Sequence, residues 1–426
     1  MEKLKITILV SLCMISSIFL GCIEDSTVNT KNTINADSVD GYDISTANNV
    51  FAFDMYSLIK NGDENIFFSP YSIFTTMAIC YDGAEGSTKE QLSDACYYPL
   101  NKSFLEESSK EMVDTINSNN DYYSLETANA LWVRNDYPLN KKFVNNSENY
   151  YGGKITNVDF RNEPEESQEI INEWIATKTN GKIRDLISDD MINPEWTDMI
   201  ITNTLYFKGN WLIKFDVDDT QKEPFYNSSS SEEGTLVDMM YVRKYFSYGE
   251  SKNAKVVELP YKGKDLSMYI VLPEENNVED FENKFTLSDY NELKSTMEPG
   301  QDVRIWLPKF TFETKTKLSD PLIEMGVVDA FDVENADFSG IFDSQKMPRG
   351  YVLKIDDVVH QTFIEVNETG TEAAAATAED MAYSKPPGEV FDFKADHPFM
   401  FFIEDKRTGC ILFMGKVENP EYGEMS

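Results

Sequence analysis

The chain has 426 residues, with 38 Lys or Arg against 74 Asp or Glu and a formal charge of −36. Such an acidic surface repels polyphosphates and anionic lipid, which excludes nucleic acid as a partner and confines any membrane contact to a lipid anchor. A 41% hydrophobic share is enough for a large core, and five cysteines are too few for a disulfide scaffold.

In chain order, residues 1–21 read as an export signal. Lys3 and Lys5 give a positive start, and the run from Ile6 to Leu20 is apolar and uncharged. A helix of that length spans about 22 Å, short of the ~30 Å hydrocarbon core, so a spanning helix is the weaker reading. The run ends Phe19-Leu20-Gly21-Cys22, which resembles a lipobox, where a small residue precedes a cysteine that is lipidated and becomes the new N-terminus. Cys22 is the candidate lipidation site, with ordinary secretion as the alternative, and both readings place the protein outside the cell. Residues 22–43 are rich in Asn, Thr, Ser and Asp and read as a flexible tether.

Residues 44–420 contain no dividing linker and no repeat, and are read as one domain followed by a short tail, 421–426. The apolar spacing predicts a helix from Ala47 to Leu58 that stops at Asn61-Gly62. A second opens at Ser69-Pro70 and ends at Gly83, with Pro at a tolerated first-turn position. A third covers Glu163 to Thr179, with Ile170, Ile171, Trp174 and Ile175 on one face and Gly181 beyond its end. Lys255–Tyr261 and Leu266–Leu272 read as a hairpin around Lys262-Gly263-Lys264-Asp265. Val303–Phe312, Tyr351–Val366, Phe399–Glu404 and Cys410–Lys416 read as extended. Helices early and strands late indicate an α+β fold with large antiparallel or mixed sheets.

No nucleophile elbow, zinc helix or phosphate loop is present, so neither a metal, a cofactor nor a catalytic residue is expected. The only histidines, His360 and His397, read as structural. Cys80, Cys96 and Cys410 lack metal-ligand spacing and read as buried free thiols. One segment is unusual: Glu368-Thr369-Gly370-Thr371-Glu372-Ala373-Ala374-Ala375-Ala376-Thr377-Ala378. In isolation four alanines favour helix. Their small side chains also suit a segment that slides between existing strands, with Thr371, Ala373, Ala375 and Thr377 on one face and Gly370 free to take unusual backbone angles.

This segment resembles the hinge of the serpins. Further motifs resemble that family in the same order along the chain. They are Asn65-Ile66-Phe67-Phe68-Ser69-Pro70-Tyr71-Ser72-Ile73, Gly83-Ala84-Glu85-Gly86-Ser87-Thr88, Asn203-Thr204-Leu205-Tyr206-Phe207-Lys208-Gly209-Asn210-Trp211, Leu307-Pro308-Lys309-Phe310, Ala336-Asp337-Phe338-Ser339-Gly340-Ile341 and Ala395-Asp396-His397-Pro398-Phe399. The resemblance implies three β-sheets, about nine helices and an exposed reactive loop on a metastable monomer. It implies a suicide substrate: a serine or cysteine protease cuts the loop, becomes acylated, and is disabled in a covalent complex as the loop inserts into the main sheet. It also implies a hinge at Glu368, Gly370, Thr371, Glu372, Ala373, Ala374, Ala375, Ala376 and Thr377, and a breach and shutter containing Ser69, Pro70, Asn203, Trp211 and His360. Counting along the loop as in that family puts the cut at Ser384–Lys385. Tyr383–Ser384 is the alternative that suits a chymotrypsin-like enzyme, and Pro386 disfavours cleavage after Lys385. The contrasting function is a non-inhibitory carrier or structural serpin.

Overall fold

The computed structural model describes residues 43–423 other than 100, 119–120, 228–232, 275–277, 348–350 and 372–388. Cys22, most of the tether, Glu372 to Thr377 and the two candidate scissile bonds therefore lie outside the described residues. Local signals set many of the element ends. Asp43 accepts from Ser45 N–H at the start of helix α1 (Ile44–Ile59), and Ser69 accepts from Ser72 N–H to start α2 (Pro70–Gly83), with Pro70 in the first turn. The other helices among the described residues are α3 (Gly86–Cys96), α4 (Lys102–Ile116), α5 (Lys141–Tyr151), α6 (Pro164–Lys178), α7 (Val278–Glu282), α8 (Leu287–Ser295) and α9 (Ser319–Glu324).

The strands are β1 (Ile66–Phe68), β2 (Tyr123–Arg134), β3 (Lys154–Val158), β4 (Met199–Asn210), β5 (Gln221–Phe225), β6 (Thr235–Glu250), β7 (Ala254–Pro260) and β8 (Leu266–Pro273), then β9 (Glu298–Pro308), β10 (Phe310–Lys317), β11 (Asp357–Asn367), β12 (Gly370–Thr371), β13 (Val390–Lys394), β14 (Phe399–Asp405) and β15 (Cys410–Val417). Six form a mixed sheet in the order β10-β11-β12-β4-β2-β3. Nine form a second layer, β1-β15-β14-β8-β7-β6-β9-β13, with β5 added to β6. Strand β6 pairs with β5 and β9 along most of its length and with β7 at its end, bulging at Phe246/Tyr248, so that two of the three expected sheets run into one another through its hydrogen bonds.

The main core lies between the two sheets and beneath α1 and α2. The opposite face of the six-stranded sheet is covered by α6, where Ile171 and Ile175 bury against Trp132, Ile200 and Val359. Ile170 departs from the expected apolar face and is 44% exposed, because the buried seam follows the i, i+4 pair Ile171 and Ile175.

Two expected strands are also corrected. Val303–Phe312 is divided at Lys309 between β9 and β10, which belong to different sheets. Leu307 and Phe310, three apart, would face opposite ways on a straight strand, yet both are buried in the main core, which requires a bend. Within Tyr351–Val366 the ladder begins only at Asp357. There the Asp356 carboxylate instead accepts from the N–H groups of Asp198 (2.6 Å) and Met199 (3.0 Å), tying the start of β4.

Candidate functional site

The site is the seam between the central strands β11 and β4. Six parallel backbone pairs join them directly, from Asp357 opposite Ile200 to Thr362 opposite Leu205. Beyond that the strands diverge and β12 occupies the gap. Gly370 and Thr371 pair antiparallel with Asn367 and Val366 on one side and with Asn210 and Gly209 on the other. A Cβ on Gly370 would lie 2.1 Å from the Gly209 carbonyl oxygen, so only glycine passes this point without moving β4. Thr371 is buried, and its hydroxyl lies 2.7 Å from the Tyr261 hydroxyl.

The base of this loop is tightly held. The Trp211 indole N–H donates to the Asn367 carbonyl (3.0 Å), its backbone N–H to that of Thr369 (3.0 Å), and the ring stacks on Tyr261 at 4.6 Å. Glu368 is buried because it is paired: Lys309 Nζ is 3.1 Å from its carboxylate and Thr220 donates to it at 2.9 Å. Lys309 also lies 4.0 Å over the Tyr422 ring, linking the C-terminal segment to the loop base.

A polar cluster crosses the closed part of the seam. Ser69 N–H donates to His360 Nε2 (3.0 Å), which makes Nε2 the acceptor and leaves the proton on Nδ1, facing Asn203 Oδ1 at 2.6 Å. Asn203 Nδ2 in turn donates to the Ser72 carbonyl (2.6 Å), Thr76 Oγ1 (2.7 Å) and Asn129 Oδ1 (2.9 Å). Ser69 Oγ donates to the Leu412 carbonyl at 2.7 Å. Burial pushes the His360 pKa down to about 3, so the ring is neutral and can accept the Ser69 N–H. His397 serves elsewhere, with Nδ1 near Asp396 and Nε2 near the Pro273 carbonyl. Burial pushes up the Cys80, Cys96 and Cys410 thiols, all free, which keeps them protonated and unreactive.

The fold thus brings Glu368, Gly370, Thr371 and Trp211 together at the open end of the seam, and Ser69, Pro70, Asn203 and His360 at its closed part. Sequence reading missed Lys309, Thr220, Tyr261 and Tyr422 at the first place and Ser72, Thr76 and Asn129 at the second. The available signal was Glu368 itself: a carboxylate at the base of an inserting strand needs a cation, although nothing local says which.

A family model described as Serpin (serine protease inhibitor) matches residues 46–420. An uncharacterized serpin-like protein of Methanosarcina acetivorans is 54% identical, with the whole of both chains covered. Human leukocyte elastase inhibitor is 35% identical over 88% of this chain and 99% of its own. Among solved structures, uncleaved ovalbumin superposes with a TM-score of 0.78 at 29% identity, covering 89% of this chain and 100% of its own. Matched along nearly all of its folded length by the family model and by its relatives, this chain belongs to the serpin family.

Proposed function

We propose that this serpin is an inhibitor of a serine or cysteine protease outside the cell, acting by loop cleavage and strand insertion. The observation that carries the reading is β12: the loop already enters the six-stranded sheet by two residues, and the residues that follow it, Ala373 to Thr377, are small. Extending the pairing of β12 opposes Thr377 to His360 and Asn203, the pair that closes the seam. Insertion exchanges the six residue pairs between β11 and β4 for a ladder on each side of the new strand, each new hydrogen bond being worth about 0.5–1.5 kcal/mol net. A protease dragged out of its working geometry by about 1 Å loses on the order of 100-fold in rate, so the acyl-enzyme persists. The reactive bond is Ser384–Lys385, or Tyr383–Ser384 for a chymotrypsin-like target. Incubation with a panel of serine and cysteine proteases, followed by denaturing electrophoresis, tests the reading: a covalent band supports it, and cleavage without such a band against every member of the panel opposes it. The mass of the released C-terminal fragment fixes the bond.

A second reading, a non-inhibitory carrier or structural serpin, draws on Glu379 and Asp380. The same register sets Glu379 opposite Val358 and Ile201, both fully buried in the main core, and an unpaired carboxylate there opposes insertion.

For the N-terminus the proposal is export through residues 1–21, lipidation of Cys22 and a tether over 22–43. Mass spectrometry of the mature N-terminus in the membrane fraction, compared for wild type and Cys22→Ser, checks it.

A further inference from the structure

Away from the strand seam, an open cavity of about 270 Å³ lies where the end of α5, the C-terminal half of α6 and the start of β3 meet β2. Lys154, Lys178, Trp174, Thr127, Asn129 and Glu148 line it. The Lys154 ammonium sits 4.8 Å from the Trp132 ring and 5.1 Å from the Trp174 ring, and the two indoles meet edge to face at 5.4 Å. Lys178, at the end of α6, stands close enough to repel it. Burial and that repulsion hold the Lys154 pKa below the usual lysine range.

Neither lysine has a carboxylate within ion-pair distance among the described residues; Glu148 stays exposed at the rim. In a chain with nearly twice as many acidic as basic residues, two neighbouring lysines left without an acidic partner among the described residues, beside a partly buried indole, suit an anion from solution. The inner wall is rigid, because Asn129 is held by Ser72, Thr75 and Asn203.

We propose that this cavity binds a small organic anion with a flat apolar body, such as an aryl carboxylate or sulfonate, its charge between Lys154 and Lys178 and its ring against Trp174. The volume is just below the range of drug-sized ligand sites, and the partly exposed Trp174 ring in the cavity wall gives a flat aromatic body a surface to pack on beside the two cations.

The test is a fluorescence titration of the full chain with anilinonaphthalene sulfonate, paired with thermal melting. The expected result is one saturable site, weakened about tenfold in Lys154→Met and several-fold in Lys178→Met, with a melting temperature that rises with probe in wild type and much less in either variant. Both variants remove like-charge repulsion, and melting without probe confirms that they fold. The neutral analogue N-phenylnaphthylamine should bind at least about tenfold more weakly. Absence of saturable binding, equal binding by both variants, or equal binding of the neutral analogue would each overturn the proposal.

Discussion

His360 and Asn203 are opposite one another in the parallel ladder of the two central strands, and their side chains meet at 2.6 Å. The same contact closes the seam, fixes the histidine tautomer and connects β11 and β4 to α2 through Ser69 and Ser72.

The first prediction follows from the depressed His360 pKa of about 3. An unfolded histidine titrates near 6.5. Between these values the unfolded chain binds more protons, so stability falls as pH drops from about 6.5 towards 3 and this contribution is constant above that window. His360→Asn should cost roughly 2–4 kcal/mol at pH 7 by disrupting the buried network. Its stability should then decline less than that of wild type on acidification. Denaturant unfolding of both proteins from pH 7 to pH 4 measures the difference, and parallel curves would refute the argument.

Removing Lys309 leaves the Glu368 carboxylate buried with Thr220 as its remaining side-chain partner among the described residues, and uncovers the Tyr422 ring. Lys309→Met is expected to destabilise by roughly 2–4 kcal/mol, since breaking a buried pair from one side strands a charge. Glu368→Gln should cost less, and the double variant should recover part of the loss. A double-mutant cycle from chemical denaturation reads the coupling, and additive losses would mean that the pair does not interact.

Thr371→Arg forces a guanidinium into a buried slot beside Tyr261. If the chain inhibits by insertion, this variant should be cleaved at the normal rate and form little or no covalent complex, because the buried unpaired charge costs several kcal/mol at the first step. Electrophoresis with a trapped protease distinguishes substrate from inhibitor; trapping at the native stoichiometry would exclude insertion through this slot.

Glu379 provides the sharpest contrast between the two functional readings. Set between Val358 and Ile201, its carboxyl would be neutral or costly. Desolvation raises the pKa of the inserted form above the usual carboxylate value, so insertion is favoured at pH below that raised pKa and opposed as pH rises through it. Glu379→Ala should therefore trap protease more efficiently and melt higher once cleaved, with an advantage that grows with pH. Stoichiometry and cleaved-form melting across pH 5 to 9 provide the comparison. Identical behaviour throughout would show that the extended register fails before residue 379.

Much of the architecture was legible because it is written in short-range patterns. The Ser69-Pro70 start, the helix end near Asn61-Gly62 and the hairpin around Gly263 follow from capping, proline geometry and alternation within a few residues. The same kind of reading marked Gly370, which does pair within the sheet, while the alanine run after it lies outside the described residues. It misjudged Ile170, whose orientation depends on where α6 rests, and it ran one strand through Lys309, where the chain crosses between sheets.

The sequence by itself therefore determined the α+β class and the positions of several elements. These depend on steric size and on hydrogen bonds between near neighbours. Only the tertiary structure decided that Lys309 pairs with Glu368, that Tyr261 receives Thr371 and that Asn129 and Thr76 join His360 through Asn203. These partners lie tens to hundreds of residues apart, and they meet because packing the two sheets on α1 and α2 brings their buried polar groups within reach of one another.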